Sequence, residues 1–130
     1  MVCLDTEFLI AFLRGDERAA SVVRQIESEG RRPATTILNA YELFKGALFS
    51  SRPESNLKAV RDLLEGLTII PLGVASCQTA AGVHARLKRK GELVGEFDVL
   101  IAGMVAESQE RLVSRDEHFA RIGGLNSRTW

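Results

Sequence analysis

The chain of 130 residues is long enough for one domain, residues 1–130, and too short for two of ordinary size. A hydrophobic share of 45% supplies a continuous core, while seventeen basic and seventeen acidic residues cancel. Zero net charge excludes a protein that gathers polyanions by its overall field; such a partner must be met by a local basic patch or through metal ions.

Val2-Cys3-Leu4-Asp5 reads as a short buried strand, and residues 6–13 as a helix that follows it directly. Gly15-Asp16 marks a break, with Asp16 capping a helix to about residue 29 that carries Ala19, Val22, Val23 and Ile26 on one side. Gly30 and Pro33 stop it. Pro33-Ala34-Thr35-Thr36 predicts a second strand, whose last threonine caps a helix over about 37–50. After the loop 50–53, a helix over 54–65 is ended by Gly66, and the apolar run 67–71 suits a buried strand. A long helix over 74–90 follows, with Val74, Cys77, Ala81, His84 and Leu87 expected on its buried face and Gly91 as its stop. Residues 96–107 form a helix, 111–114 a strand, 116–122 a short helix and 126–130 an edge strand. Strands alternating with helices predict a three-layer α/β domain on a mostly parallel sheet, whose functional groups gather beyond the carboxyl ends of the strands.

Cys3 and Cys77 lie in apolar stretches without metal-ligand spacing and are expected to be buried free thiols. His84 and His118 lack a His-Glu-x-x-His arrangement and build no zinc site without carboxylates. The apolar run 8–13 is short, follows Asp5 and Glu7, and has no basic leader. Neither a signal peptide nor a membrane span is therefore expected, and the protein is expected in the cytoplasm.

Four acids stand at telling places. Asp5 closes the first strand, where it serves as a helix cap, as a site carboxylate at the strand-end rim, or as both. Asp98 precedes an uncharged stretch, 99–106, that is apolar all round and so belongs to a buried helix. A carboxylate against such a helix costs several kcal/mol, on the order of an ion-burial penalty, unless the helix dipole or a divalent cation compensates it. Asp116 repeats the placement of Asp5 just past a strand, although Ser114-x-x-Glu117 also fits a capping box. Glu42 lies opposite the face that Ile37, Ala40, Tyr41, Phe44 and Leu48 are expected to bury, which by itself makes it a surface residue. An oxygen-only ligand set of this kind suits Mg2+ or Mn2+ and not zinc, and it leaves coordination positions for a substrate phosphate.

The segment from Gly95 through Asp98 to Ala102, followed by Leu112-Val113-Ser114-Arg115-Asp116-Glu117-His118-Phe119, resembles the C-terminal half of VapC-like PIN domains. Leu4-Asp5-Thr6 and Tyr41-Glu42-Leu43 are similar to that family's first two acidic motifs, and Gly124-Leu125 with Trp130 to its closing strand region. The resemblance implies a metal-dependent endoribonuclease, the toxin of a toxin–antitoxin pair, in which Asp5, Glu42, Asp98 and Asp116 are the catalytic acids around one or two Mg2+ or Mn2+ ions. Asp5, Asp98 and Asp116 would be the direct ligands, and Thr6 and Ser114 hydroxyl-bearing helpers. It also implies hydrolysis of RNA to a 3′-hydroxyl and a 5′-phosphate, a homodimer, and a VapB-like antitoxin that covers the site, often by offering a basic side chain. Ser114 stands where relatives commonly carry threonine, which keeps the hydroxyl.

Arg86, Lys88, Arg89 and Lys90 form the one dense basic run, read either as a favourable end to a solvated helix or as contacts to RNA phosphates. Arg31, Arg32 and Arg52 are weaker candidates. Phe8, Phe12, Phe44 and Phe97 are expected in the core, leaving no stacking platform for bases, and Phe49 offers apolar surface for association. The main alternative is a catalytically inactive PIN-like module that binds RNA or protein. A small phosphatase, suggested by Asp5 after the first strand, lacks the strand-end lysine it would need. A DNA nuclease of related fold lacks the insertions for gripping a branched duplex.

Overall fold

Val2, Cys3 and Leu4 are all buried, so this apolar triplet has no solvent-facing side and belongs at the centre of a sheet. In the computed structural model, which describes residues 1–130, it does: β1 (Val2–Leu4) is flanked by β2 (Pro33–Thr36) and β4 (Arg111–Val113), with β3 (Thr68–Ile70) and β5 (Asn126–Arg128) at the edges. The order is β3-β2-β1-β4-β5, and all four pairings are parallel. Leu4 pairs with Val113 and Cys3 with Ala34, so β1, β2 and β4 end side by side.

Side chains alternate across these strands and build two cores. Cys3, Ala34, Ile70 and Leu112 face α5 (Val74–Lys90), α6 (Glu96–Glu107) and α7 (Glu117–Ala120). Val2, Leu4 and Val113 face α1 (Thr6–Leu13), α2 (Glu17–Ser28), α3 (Ile37–Leu48) and α4 (Pro53–Glu65). The result is the three-layer α/β arrangement expected from the alternation of elements. No helix is long and apolar enough to cross a membrane.

The helix ends follow local chemistry. Asp16 accepts the Ala19 N–H at the start of α2, and Gly91 stops α5 in the left-handed region at φ 68°. α5 and α6 form a hairpin whose helices meet at Ala80 and Gly103: a Cβ on Gly103 would lie 2.6 Å from the Ala80 Cβ and 2.7 Å from its backbone nitrogen. Thr79 bonding Glu107 further along fixes the pair as antiparallel. The basic end of α5 and the Asp98 end of α6 therefore share one end of the hairpin.

Several expected faces are corrected. On α5 the buried residues are Ser76, Ala80, Val83 and Leu87; Val74, Cys77 and Ala81 are exposed and His84 is half-buried. Small side chains, not large ones, mark that face, because the two helix backbones approach closely there. Of the cysteines, only Cys3 is buried; Cys77 is exposed. On α3 the buried residues are Asn39, Ala40, Leu43 and Ala47, while Ile37, Tyr41 and Leu48 point outward. Phe97 is not core either; 36% exposed, it meets Tyr41 with ring centroids 5.6 Å apart.

Candidate metal centre

Thr36 ends β2 and caps α3, and its partner in the cap is Asn39. The Asn39 Oδ1 accepts from the Thr36 N–H at 3.2 Å and hydroxyl at 2.7 Å, so its amide nitrogen must point the other way. That nitrogen donates to Asp5 Oδ1 at 3.2 Å and to Thr6 Oγ1 at 2.9 Å. Thr6, accepting from Asn39, donates its one hydroxyl proton to Glu42 Oε1 at 2.8 Å. Glu42 is thus half-buried and turned toward Asp5, not out to solvent as the wheel of apolar residues suggests.

Asp5 occupies the capping position of α1, yet its side chain makes no cap hydrogen bond. Its second oxygen accepts from the Ser114 hydroxyl at 2.6 Å, across the seam between β1 and β4. Ser114 Oγ in turn accepts the Asp116 N–H at 3.0 Å, which commits its single proton to Asp5. The expected Ser114–Glu117 capping box does not form: Asp116 itself is the N-cap of α7, accepting from the His118 N–H at 2.9 Å. The His118 ring closes the circuit, with Nδ1 3.1 Å from Asp116 Oδ1 and 3.5 Å from Asp98 Oδ2. Asp98 reaches this point from the first turn of α6.

An unbroken chain of polar contacts therefore runs from Glu42 through Thr6, Asn39, Asp5, Ser114, Asp116 and His118 to Asp98. Its electrostatics are costly. Burial raises the pKa of Asp5 above the ordinary carboxylate value; the Ser114 bond opposes this, and the charges of Glu42 and Asp116 add to it. Burial also raises Asp98, Asp116 adds repulsion, and His118 partly offsets both. Both oxygens of Asp5 retain lone pairs after their single bonds, so the carboxylate stays available to a cation. Asp98, Asp116 and His118 can bring one ligand atom each within 4.8 Å of one another. The donor set is dominated by carboxylates and suits a divalent cation of the Mg2+ or Mn2+ type.

The four acids read from the sequence are thus linked through Thr6, Asn39, Ser114 and His118, but the ligand atoms close enough to share one ion come from Asp98, Asp116 and His118, with Asp5 and Glu42 outside that group. Arg86, Lys88, Arg89 and Lys90 are exposed; Arg86 and Lys90 line a shallow pocket with Arg121, Gly123 and Gly124 beyond α7. Two residues of the site escape a reading of the acids alone. Asn39 is fully buried, and Thr36-x-x-Asn39 at the strand-to-helix junction is the signal that finds it. His118 stands two residues after Asp116, but its approach to Asp98 is purely tertiary.

Comparisons with known proteins give the family and the fold. Over 128 residues the chain is 27% identical to the tRNA(fMet)-specific endonuclease VapC of Shigella flexneri, covering 98% of this chain and 96% of that protein. The same identity and coverage hold for Ribonuclease VapC2 of Haemophilus influenzae. Among solved structures, DNA-bound VapBC from Salmonella typhimurium superposes with a TM-score of 0.89 at 27% identity, covering 100% of this chain and 99% of that one. VapBC2 of Rickettsia felis reaches 0.92 at 22% identity with coverages of 100% and 99%, a likeness of fold. The PIN domain family matches residues 2–125, the span that holds β1 to β4 and all four acids, and the chain belongs to that family.

Proposed function

We propose that residues 1–130 act as a metal-dependent endoribonuclease, the toxin of a toxin–antitoxin pair. Asp5, Asp98 and Asp116 would be the ligands of Mg2+ or Mn2+, and Glu42 the fourth catalytic acid. The observation that carries the reading is the contact chain joining all four acids, built of residues far apart in sequence. A bound divalent cation would polarise the scissile phosphate and make bound water more acidic.

The chain's own residues do the positioning. Ser114 and Asn39 hold the two oxygens of Asp5, which fixes the plane of its carboxylate. Thr6 orients Glu42, whose other oxygen is free to accept a proton from, or align, an attacking water. Arg86, Lys88, Arg89 and Lys90 would bind the RNA backbone, since a neutral domain needs a local source of phosphate affinity. The proposed partners are a VapB-like antitoxin and a second copy of the chain. For the latter, Leu48 and Phe49 at the end of α3 supply exposed apolar surface.

The test compares wild type and Asp98→Asn on structured RNA, with Mg2+ or Mn2+ and with a chelator. Cleavage is expected to need metal and to fall at least about a hundredfold in the variant, for a loss of several kcal/mol of transition-state stabilisation. No cleavage by either protein would favour the inactive binding module, and equal cleavage by both would remove Asp98 from the reaction.

A further inference from the structure

The oxygen-only site expected from the acids leaves out the side chain that touches two of them. Because His118 N–H donates to Asp116 Oδ1, the first turn of α7 fixes Asp116 and starts the His118 side chain beside it. The ring then reaches across to α6, where Nδ1 lies 3.5 Å from Asp98 Oδ2, while remaining 3.1 Å from Asp116 Oδ1. An octahedral ion with bonds of about 2.1 Å holds neighbouring ligand atoms about 3.0 Å apart and opposite ones about 4.2 Å apart. The two His118 distances match neighbouring positions. All three ligand atoms lie within 4.8 Å of one another, so closing on one ion needs only a small inward adjustment.

Resting on the reading of these acids as a cation site, we propose that His118 is a nitrogen ligand of that site and tilts it from Mg2+ toward Mn2+. Mg2+ is a hard ion that gains little from imidazole, whereas first-row transition ions take imidazole and carboxylate together. The ring is 46% exposed, so it can turn to present a lone pair without disturbing either core. His118 thereby completes a donor group drawn from two elements, Asp98 on α6 and Asp116 with His118 around the start of α7.

Pulsed electron paramagnetic resonance of bound Mn2+ reads this directly, because a coordinated imidazole nitrogen modulates the signal. Wild type should show nitrogen coupling. His118→Gln, which keeps every carboxylate, should lose that coupling, and its Mn2+ affinity should fall about tenfold or more. Its Mg2+ affinity, measured by calorimetry, should change by less than about twofold. Absence of coupling in wild type, its persistence in His118→Gln, or an equal fall for both ions would overturn the proposal and leave His118 as a counter-charge to the acids. Asp98→Asn separates the two levels of the claim. If it abolishes Mn2+ uptake while His118→Gln changes nothing, the acidic site stands and the histidine ligand falls. If wild type takes up no Mn2+, both fall.

Discussion

Asn39→Asp is a near-isosteric change at the centre of the polar chain. The wild-type amide gives one N–H to Asp5 and one to Thr6, and accepts two bonds from Thr36, so all four of its hydrogen-bonding positions are used. A carboxylate keeps the Thr36 bonds but faces Asp5 with a second negative charge at about the 3.2 Å separation of the bond it replaces. A buried bond to a charged group contributes about 1.5–3 kcal/mol, and an uncompensated buried charge costs about 3–5 kcal/mol. A net loss of about 3–5 kcal/mol is therefore expected for the metal-free variant at neutral pH. With an m value near 1.5 kcal/mol/M, that lowers the urea midpoint by about 2–3 M. The new carboxyl, buried beside Asp5, would have its pKa raised in the folded state. Its charge penalty is present above that raised value and is lost as pH falls below the unfolded value, where a protonated Asp can still make one of the two bonds that Asn39 donates. Urea titrations in chelator at several pH values would refute the reasoning if Asn39→Asp matches wild type at neutral pH, or if its deficit does not shrink in acid.

The raised pKa values of Asp5 and Asp98 give a second pH test. A carboxyl that is harder to ionise in the folded state binds its proton there more tightly, so stability declines as pH rises from the unfolded toward the folded value, and the cost persists at neutral pH. In chelator, Asp98→Asn should be more stable than wild type at neutral pH, with the difference vanishing below the ordinary value of 3.8. Mn2+ at about a hundred times its dissociation constant should reverse the order by stabilising wild type by about 2.7 kcal/mol, measurable in the same titrations. Gly103→Ala should cost at least about 1–3 kcal/mol in thermal or urea unfolding, because the added methyl meets the Ala80 backbone and not a movable side chain.

Much of the fold is legible because its signals are local. Asp16, Thr36 and Gly91 mark helix ends by capping chemistry, and the apolar triplet Val2–Leu4 marks the central strand. The helix faces are less so. A wheel drawn from hydrophobicity turns α3 toward Ile37, Tyr41 and Leu48, whereas Asn39 is held inside by Thr36, Asp5 and Thr6. That polar residue rotates the buried face and carries Glu42 to the rim. On α5 the same wheel selects Val74 and Cys77, while the approach of Gly103 to Ala80 selects the small residues. Asp5 and Asp98 are visible as acids out of place beside buried elements. The placing of Glu42 came from family resemblance, and His118 beside Asp98 depends on how α6 meets α7, which no local pattern records.

Anomalous diffraction from crystals grown with Mn2+ tests most directly whether the rim acids share a cation. A peak bonded to carboxylate oxygens of Asp98 and Asp116, with Asp5 in the same coordination sphere, is expected, and it should be missing in Asp98→Asn. Ordered acids with no manganese between them, or a peak elsewhere on the protein, would contradict it.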